Sequence, residues 1–220
     1  GARTMLIYSV NIARPQMRPR NGAEVLTGGD KLPVASAHIH TLGLAGDGQA
    51  DTVNHGGADK AVCVYAFDHY PYWEQMLGRS LEPGAFSENL TVQGIDENTI
   101  YIGDVFQAGT VLLQVTQPRT PCAKLAGKHE QPQLVKWVAD INATGFYMRV
   151  LQEGVVARGD AFTRVQEHPA RISIAAVGDI IFDRSRDTAL MAKLVAMPEF
   201  GESGRVRFRE RLAKLTEQPL

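Results

Sequence analysis

The sequence predicts an α+β fold: a β-rich, mixed or antiparallel barrel with flanking helices, followed by a small C-terminal three-helix unit. Three observations lead to this prediction. Short apolar, β-branched runs recur at a spacing of roughly ten residues up to residue 167, which is the spacing that a barrel or sandwich needs. Of the 21 glycines, 18 lie within residues 1–167, where they separate these runs. After residue 167 the apolar residues recur at helical spacing instead.

The first part of the chain is expected to contain strands, because its apolar runs are rich in β-branched and aromatic residues. The predicted strands are Leu6–Ile12, Val34–Thr41, Lys60–Phe67, Asn89–Val92, Tyr101–Gln107, Val111–Thr116, Phe146–Leu151 and Ala161–Val165. Two helices interrupt them, Asp68–Leu77 and Gln133–Ile141, where apolar side chains recur at helical spacing. Asp68 is expected to cap the first of these helices, and Gly78 to end it.

Three further helices are predicted in the C-terminal part of the chain. They cover Ser173–Phe182, Asp187–Val195 and Gly204–Leu215. We place a domain boundary at His168-Pro169, because a residue before proline leaves helical geometry. The predicted units are therefore a barrel domain of residues 1–167 and a three-helix domain of residues 168–220. A unit of roughly 50 residues is marginally stable alone, so we expect it to dock on the barrel.

Composition argues against several classes of protein. The 220 residues include 23 basic and 24 acidic side chains, a balance that does not suit a strongly basic nucleic-acid-binding protein. No apolar run approaches the roughly 18 residues that a membrane helix needs, and residues 1–13 show no secretory cleavage site. We therefore expect a cytoplasmic protein with no nucleic-acid or membrane partner. Two cysteines, Cys63 and Cys122, are too few for a disulfide framework, a four-cysteine zinc site or an iron–sulfur cluster.

The segment around Cys122 is a candidate for chemistry. Residues 117–125 read QPRTPCAKL, and the two prolines restrict the backbone so that the thiol lies on a rigid turn rather than inside a helix. Arg119 and Lys124 are close in sequence, and nearby cations lower the pKa of a thiol and favour the thiolate, which is the nucleophile and metal ligand. The residues alone leave open a buried, inert cysteine. Cys63 lies within an apolar strand and is interpreted as a small core residue.

A glycine pair forms a second candidate segment. Residues 54–60 read NHGGADK, and Gly56 and Gly57 allow a backbone to approach a ligand closely and to direct N–H groups at an anion. His55 and Lys60 bracket the pair, so the segment suits a phosphate. The alternative is a plain turn before a strand, since the spacing is not that of a Walker loop.

Four further polar residues are considered. Asn89 offers a donor and an acceptor to the edge of a heterocycle. Glu88, beside it, is interpreted as a surface charge rather than a base. His38 and His40 share one face of a predicted strand without a third ligand at metal spacing, so a zinc site is not expected.

Five short motifs occur in an order that resembles the MOSC domain, the family named for the molybdenum cofactor sulfurase C-terminus. They are GLAGD at 43–47, HGGADKAV at 55–62, FSENLT at 86–91, GDVF at 103–106 and RTPCAKL at 119–125. The C-terminal part resembles the three-helix extension of YiiM-like bacterial members. One departure is Ser87, where the family usually has glycine before Glu-Asn.

The resemblance implies a β-rich barrel and a cofactor role for one thiol. The family cysteine coordinates molybdenum of a pterin cofactor or carries sulfur, which makes Cys122 the implied catalytic residue and metal ligand. A soft thiolate suits such a metal. The resemblance also implies cofactor-binding roles, for the phosphate, the surroundings of the metal and the pterin edge. These fall on His55, Gly56, Gly57, Lys60, Asn89, Arg119 and Thr120.

Two functions follow from the resemblance. The first is a molybdenum-dependent oxidoreductase that reduces N-hydroxylated compounds, such as N-hydroxylated bases, as small-molecule substrates. Because the chain lacks the cysteines of an iron–sulfur centre, its electrons would come from a separate reductase, for which the basic C-terminal helix is a candidate docking surface. The second is a persulfide carrier that delivers sulfur to a metal cofactor without redox turnover. A homodimer is a further expectation.

Overall fold

The computed structural model describes residues 4–48 and 56–217. The strands within them are β1 Leu6–Ile12, β2 Gln16–Arg20, β3 Ala23–Thr27, β4 Leu32–Val34, β5 Ser36–His40, β6 Gly43–Leu44, β7 Val62–Ala66, β8 Leu90–Gln93, β9 Val105–Ala108, β10 Val111–Pro118, β11 Phe146–Gln152, β12 Gly154–Ala157 and β13 Phe162–Gln166. The helices are α1 Tyr70–Leu77, α2 Ala123–Lys128, α3 Leu134–Ile141, α4 Ile174–Ile181, α5 Thr188–Val195 and α6 Glu202–Glu217. In these two ranges no helix has the length and apolar character needed to cross a membrane.

Most strands belong to one large mixed sheet, which confirms the predicted α+β class. Its order is β13-β9-β10-β11-β7-β8-β1-β4, and two smaller sheets are formed by β12-β5-β6 and β2-β3. The β7–β8 pair is parallel, with α1 in the connection between them, whereas the other pairs of the large sheet are antiparallel. A single bridge from Leu6 to Ala161 brings the start of β1 to the segment before β13. Closure of the sheet into a barrel stays a prediction.

Strand β7, in the interior of the large sheet, is buried on both faces. The side chains that pack on its two faces form two separate clusters. Val62 and Val64 point into the main core, whereas Tyr65 points into a second cluster with Trp73 of α1 and Phe86. This follows from the alternation of side chains along a strand. Loops and helices that approach β7 from the second side therefore pack on aromatic side chains, and this side holds the segment that carries Cys122.

The C-terminal helices share the main core with the large sheet. Val177, Met191, Leu194 and Phe208 are fully buried in it together with the apolar side chains of the strands. Each such side chain contributes about 1.5–3 kcal/mol relative to an exposed one. The expected docking of the tail on the sheet is confirmed, and the domain boundary at residues 167 and 168 stays a prediction.

The predicted starts of two C-terminal helices, Ser173 and Asp187, agree with the caps observed. Ser173 accepts a hydrogen bond from the Ala176 N–H at 3.0 Å and begins α4, and Asp187 does the same for α5. The prediction that Asp68 caps α1 is wrong. Residues 67–69 form a 3₁₀ turn, and the Asp68 carboxylate instead accepts from the Gly94 N–H at 3.0 Å, so α1 begins at Tyr70.

Candidate functional site

Cys122 lies at the junction between β10 and α2. It has extended backbone angles, φ −128° and ψ 170°, and is the residue immediately before α2. Its carbonyl oxygen accepts the first hydrogen bonds of that helix, from the N–H groups of Leu125 and Ala126 at 3.1 and 3.3 Å. The side chain is half-buried, whereas Cys63 is buried in the middle of β7. The prediction that Cys122 is presented outside a helix interior, and Cys63 within a strand, is confirmed.

The Cys122 side chain lines a cavity of about 460 Å³. One wall comes from the first part of the chain and includes Lys60, Gln117, Thr120, Cys122, Lys124 and Tyr147. The opposite wall comes from the C-terminal helices and includes Ile181, Phe200, Ser203, Gly204, Arg207 and Phe208. We call this space the Cys122 cavity. Two parts of the chain that are far apart in sequence therefore build one site.

The charge of the Cys122 cavity is positive. Its charged lining residues are Lys60, Lys124 and Arg207, and the described part of the chain contributes no carboxylate to the lining. The Lys60 ammonium lies 5.8 Å from the centre of the Tyr147 ring. A cavity lined by three cations, with no carboxylate among its described lining residues, attracts anions.

Tyr147 brings a second protic group close to the thiol. Burial raises the pKa of Tyr147, and the nearby Cys63 and Cys122 thiols raise it further although Arg119 acts in the opposite direction. The phenol therefore stays protonated at neutral pH and can donate a hydrogen bond in the cavity. Sequence reasoning missed Tyr147, because nothing in its strand distinguishes it from an ordinary core aromatic residue.

The glycine pair lies near the cavity but does not line it. Gly57 has a φ of +94°, a conformation that favours glycine, and its carbonyl oxygen accepts from the Lys60 N–H at 3.1 Å. The turn thereby directs Lys60 to the cavity. Gly56 precedes it, and His55 lies outside the described residues, so the predicted phosphate roles of these three residues stay predictions.

The sequence suggested that Arg119 is a cation beside the Cys122 thiol. The structure places its side chain elsewhere. Its guanidinium points into the protein, where it donates to the carbonyl oxygens of Phe86 at 2.7 Å and Thr144 at 3.2 Å. Burial would lower the pKa of Arg119, but Cys63 and neighbouring tyrosines raise it, so the group stays charged. Arg119 does not line the Cys122 cavity and instead fastens the segment that carries Cys122 to the core. Its predicted contact with the cofactor phosphate stays a prediction.

Asn89 also lies outside the lining of the Cys122 cavity. It is fully buried, and its Oδ1 accepts from the Cys63 N–H at 3.0 Å. Its Nδ2 donates to the Asp47 carboxylate at 2.8 Å, which in turn pairs with Lys31 at 2.8 Å. These bonds satisfy the amide within the fold, and its role at a pterin edge stays a prediction.

The interpretation of Glu88 as a surface charge is wrong. The residue is fully buried, and its carboxyl group accepts from the Tyr70 hydroxyl at 2.7 Å and the Phe86 N–H at 3.0 Å. Burial raises the pKa of Glu88, although the hydrogen bond from Tyr70 and the charges of Lys128 and Arg119 act in the opposite direction. The preceding residue, Ser87, has a φ of +60°, and its hydroxyl donates to the Gly29 carbonyl oxygen at 2.8 Å. This left-handed geometry explains why glycine is common there, and the hydrogen bond supports serine in its place.

Asp59 joins the segment of Gly56 and Gly57 to the wall of the Cys122 cavity that comes from the C-terminal helices. One carboxylate oxygen accepts from the Glu202 N–H at the start of α6 at 2.9 Å, and the other pairs with Arg149 at 3.0 Å. Burial raises the pKa of Asp59, but these two partners outweigh it and hold the pKa below its usual value. Asp59 therefore stays ionised and connects the loop of Lys60 to α6.

The side chains of the Cys122 cavity that could bind a metal or an anion fit a cofactor that itself supplies most of the ligands to its metal. Within the described ranges, no group of three or more His, Cys, Asp or Glu residues is arranged to hold a metal ion. His38 and His40 stack with ring centres 6.0 Å apart. One thiol and three cations in a common cavity suit a metal held by an anionic, phosphate-bearing cofactor.

Comparison with known proteins agrees with the family resemblance found in the sequence. The family model of the MOSC domain matches residues 51–163. The chain is 40% identical over 210 residues to YflK of Bacillus subtilis (strain 168), a match that covers 95% of each protein. It is 34% identical over 155 residues to YiiM of Escherichia coli (strain K12), covering 69% of this chain and 66% of YiiM.

A third relative and a solved structure extend the comparison. The chain is 33% identical over 162 residues to a protein of Gibberella moniliformis (strain M3125 / FGSC 7600) named a reductase, covering 71% of this chain and 28% of that protein. The crystal structure of YiiM from Geobacillus stearothermophilus has a TM-score of 0.81 and 37% identity, covering 94% of this chain and 99% of that one. At 94% of the chain, the likeness extends beyond the residues that the family model matches.

Proposed function

This chain belongs to the MOSC domain family, with YiiM-like relatives, and from that membership we propose that it binds the molybdenum cofactor and reduces N-hydroxylated compounds. The observation that carries the proposal is the Cys122 cavity, in which one half-buried thiol lies among three cations and no described carboxylate. The relative from Gibberella that is named a reductase supports the type of reaction. The proposed substrates are small molecules such as N-hydroxylated bases.

Each group of the cavity has a proposed task. Cys122, as thiolate, is the soft ligand that the protein adds to the metal. Lys60 and Lys124 balance the negative charge of the cofactor, and the Thr120 hydroxyl is available as a hydrogen-bond donor beside it. The Tyr147 phenol, kept protonated by burial, holds a proton near the thiol.

The overall reaction is balanced by electrons from another protein. An N-hydroxylated amine takes up two electrons and two protons and is converted to the amine and water. When bound, the cofactor supplies the two-electron redox chemistry at molybdenum. We propose a separate reductase as the electron donor, since Cys63 is buried in β7 and Cys122 is committed to the cofactor.

Turnover with matched cysteine variants tests this function. Protein from a host that makes the cofactor is assayed anaerobically with an N-hydroxylated purine and an artificial electron donor. We expect Cys122→Ala to lose at least about a hundredfold in kcat/KM, of the order found when a group acting in the chemical step is removed. Cys63→Ala is the control, because that thiol is buried and is not among the residues that line the cavity. Undiminished turnover by Cys122→Ala would overturn the role of the thiol.

The persulfide carrier is retained as a second candidate. It is favoured by the half-buried position of Cys122 in a cationic cavity, which suits an anionic persulfide. Mass spectrometry of protein purified without reductant separates the two functions. A sulfur adduct on Cys122 in protein that holds no pterin supports the carrier, whereas pterin-loaded protein without the adduct supports the reductase.

A further inference from the structure

The three cations of the Cys122 cavity are divided between its two walls. Lys124 follows Cys122 by two residues, and the Lys60 ammonium lies 5.8 Å from the centre of the Tyr147 ring, so both cations belong to the wall that carries the thiol. Arg207 belongs to α6 and therefore to the opposite wall. A ligand that fills the cavity meets positive charge on both sides.

The start of α6 is held firmly against the first part of the chain. The Ser203 hydroxyl donates to the Gln117 side chain at 3.2 Å, and the Glu202 N–H donates to the Asp59 carboxylate at 2.9 Å. A β-carbon at Gly201 would displace the side chain of Gln117, so glycine permits this close approach of α6 to β10. These contacts fix the first turn of α6 and with it the wall that α6 forms.

Arg207 follows Ser203 by one helical turn and therefore lies on the same face of α6. It is exposed, it lines the cavity, and in the described part of the chain no carboxylate pairs with it. By contrast, Arg211 of the same helix pairs with Asp183. An unpaired guanidinium on a fixed backbone is suited to a phosphate group, which it can bind through two parallel hydrogen bonds.

The residues that the family resemblance implied for the cofactor phosphate leave room for such a partner. Among those that the structure describes, Lys60 alone lines the cavity, because the Arg119 guanidinium points into the protein and donates to the carbonyl oxygens of Phe86 and Thr144. A lysine ammonium is a point charge without the paired donors of arginine. The phosphate of a cofactor in this cavity is therefore better matched by Arg207 than by the described residues of the predicted set.

We propose that Arg207 binds the phosphate of the cofactor, so that the C-terminal helices are part of the cofactor site. This inference rests on the proposed function and adds to it a residue outside residues 51–163, which the family model matches. Lys60 and Lys124 remain counter-charges on the wall of the thiol. A cavity of about 460 Å³ is within the range of small-molecule sites, about 300–1,000 Å³.

Cofactor retention by Arg207 variants tests the inference without turnover. Wild type, Arg207→Gln, Arg207→Lys and Arg209→Gln are produced in a cofactor-competent host, and the loss of pterin is followed during dialysis. We expect Arg207→Gln to lose pterin at least about tenfold faster than the wild type, and Arg207→Lys to lie between them, because charge-assisted hydrogen bonds to the phosphate are removed or reduced. Arg209→Gln, exposed on the same helix and not among the lining residues, is expected to match the wild type. Equal loss from Arg207→Gln and the wild type overturns the inference.

The phosphate itself is tested with the stable fluorescent pterin obtained by oxidising the cofactor. Cofactor-free protein is titrated with this pterin carrying its phosphate and with the same pterin after phosphatase treatment. We expect the wild type to bind the phosphorylated form at least about tenfold more tightly, and Arg207→Gln to bind the two forms alike. If Arg207→Gln weakens both forms equally, or if the wild type does not distinguish them, the assignment of Arg207 to the phosphate is wrong.

Failure of the proposed function gives a different result. Wild-type protein that holds no pterin after production in a cofactor-competent host would refute cofactor binding and the inference together. Pterin-loaded wild type with unchanged retention in Arg207→Gln would refute the inference alone. Melting temperatures of the cofactor-free variants are expected to equal that of the wild type, since Arg207 is exposed, and this control separates loss of pterin from loss of the fold.

Discussion

His129 at the end of α2 makes the fold sensitive to acid. Its Nδ1 accepts a hydrogen bond from the Arg79 guanidinium at 2.7 Å, and its Nε2 donates to the Ala85 carbonyl oxygen at 2.6 Å. An arginine only donates and a carbonyl only accepts, so the ring is neutral with its proton on Nε2. Burial lowers the pKa of His129 to about 4, from 6.5, and the adjacent Lys128 and Arg79 charges lower it as well.

The magnitude follows from linkage between protonation and folding. Between pH 6.5 and about 4 the unfolded chain binds a proton at His129 that the folded chain does not. The free energy of unfolding therefore rises with pH in this window: the contribution is fully present above pH 6.5 and is lost as the pH falls through about 4. At about 1.4 kcal/mol for each pKa unit, the contribution is about 3 kcal/mol.

Denaturant unfolding of His129→Gln across this window is the assay. At pH 7 we expect the variant to be less stable than the wild type, by about 1–2 kcal/mol, because hydrogen bonds at Arg79 are lost. Toward pH 4 the wild type is expected to lose about 3 kcal/mol that the variant keeps, since glutamine does not titrate, so that the variant becomes the more stable protein by about 1–2 kcal/mol. Buried carboxyl groups common to both proteins, such as Glu88, cancel in the comparison. A difference in unfolding free energy that stays constant with pH would refute this reasoning, and His38→Gln, at an exposed position, is the control.

Two other perturbations probe the walls of the Cys122 cavity. Asp59→Asn is expected to destabilise the protein by about 1 kcal/mol in urea unfolding and to increase amide exchange at the start of α6, because the Glu202 N–H loses a charged acceptor; unchanged exchange there would contradict the link. Phe208→Ala is expected to cost about 3–5 kcal/mol and to lower the melting temperature, since Phe208 is fully buried against Phe200 with ring centres 5.4 Å apart; a loss below about 1 kcal/mol would show that α6 is not part of the core.

Strands with strong apolar patterns were predictable, whereas several elements without such patterns were not. The predicted and observed bounds of β1 agree, Leu6–Ile12, because the run is apolar and contains β-branched residues. The β2–β3 hairpin was missed, since its strands are largely exposed and Pro19 lies within one of them. Helix α2 was missed because its six residues are too few to show a helical period, and tertiary packing of Leu125 stabilises it.

The site could be predicted in part for similar reasons. Thr120 was assigned near the metal and Lys60 to the cofactor phosphate, and both line one cavity with Cys122. A residue's place along the chain does not determine the direction in which its side chain points. Arg119 was therefore expected at the thiol, because it is close to Cys122 in sequence, although its side chain points into the core. Arg207 had no local signal, because its place in the cavity depends on how the C-terminal helices pack on the sheet.

X-ray absorption at the molybdenum edge tests the role of Cys122 most directly. Wild-type, Cys63→Ala and Cys122→Ala proteins are prepared in a cofactor-competent host, and molybdenum and pterin contents are measured beside the spectra. We predict that molybdenum bound to the wild type and to Cys63→Ala has one more sulfur neighbour than any molybdenum bound to Cys122→Ala, or that Cys122→Ala binds none. Identical sulfur coordination and metal content in all three proteins would contradict the assignment of Cys122 as the metal ligand.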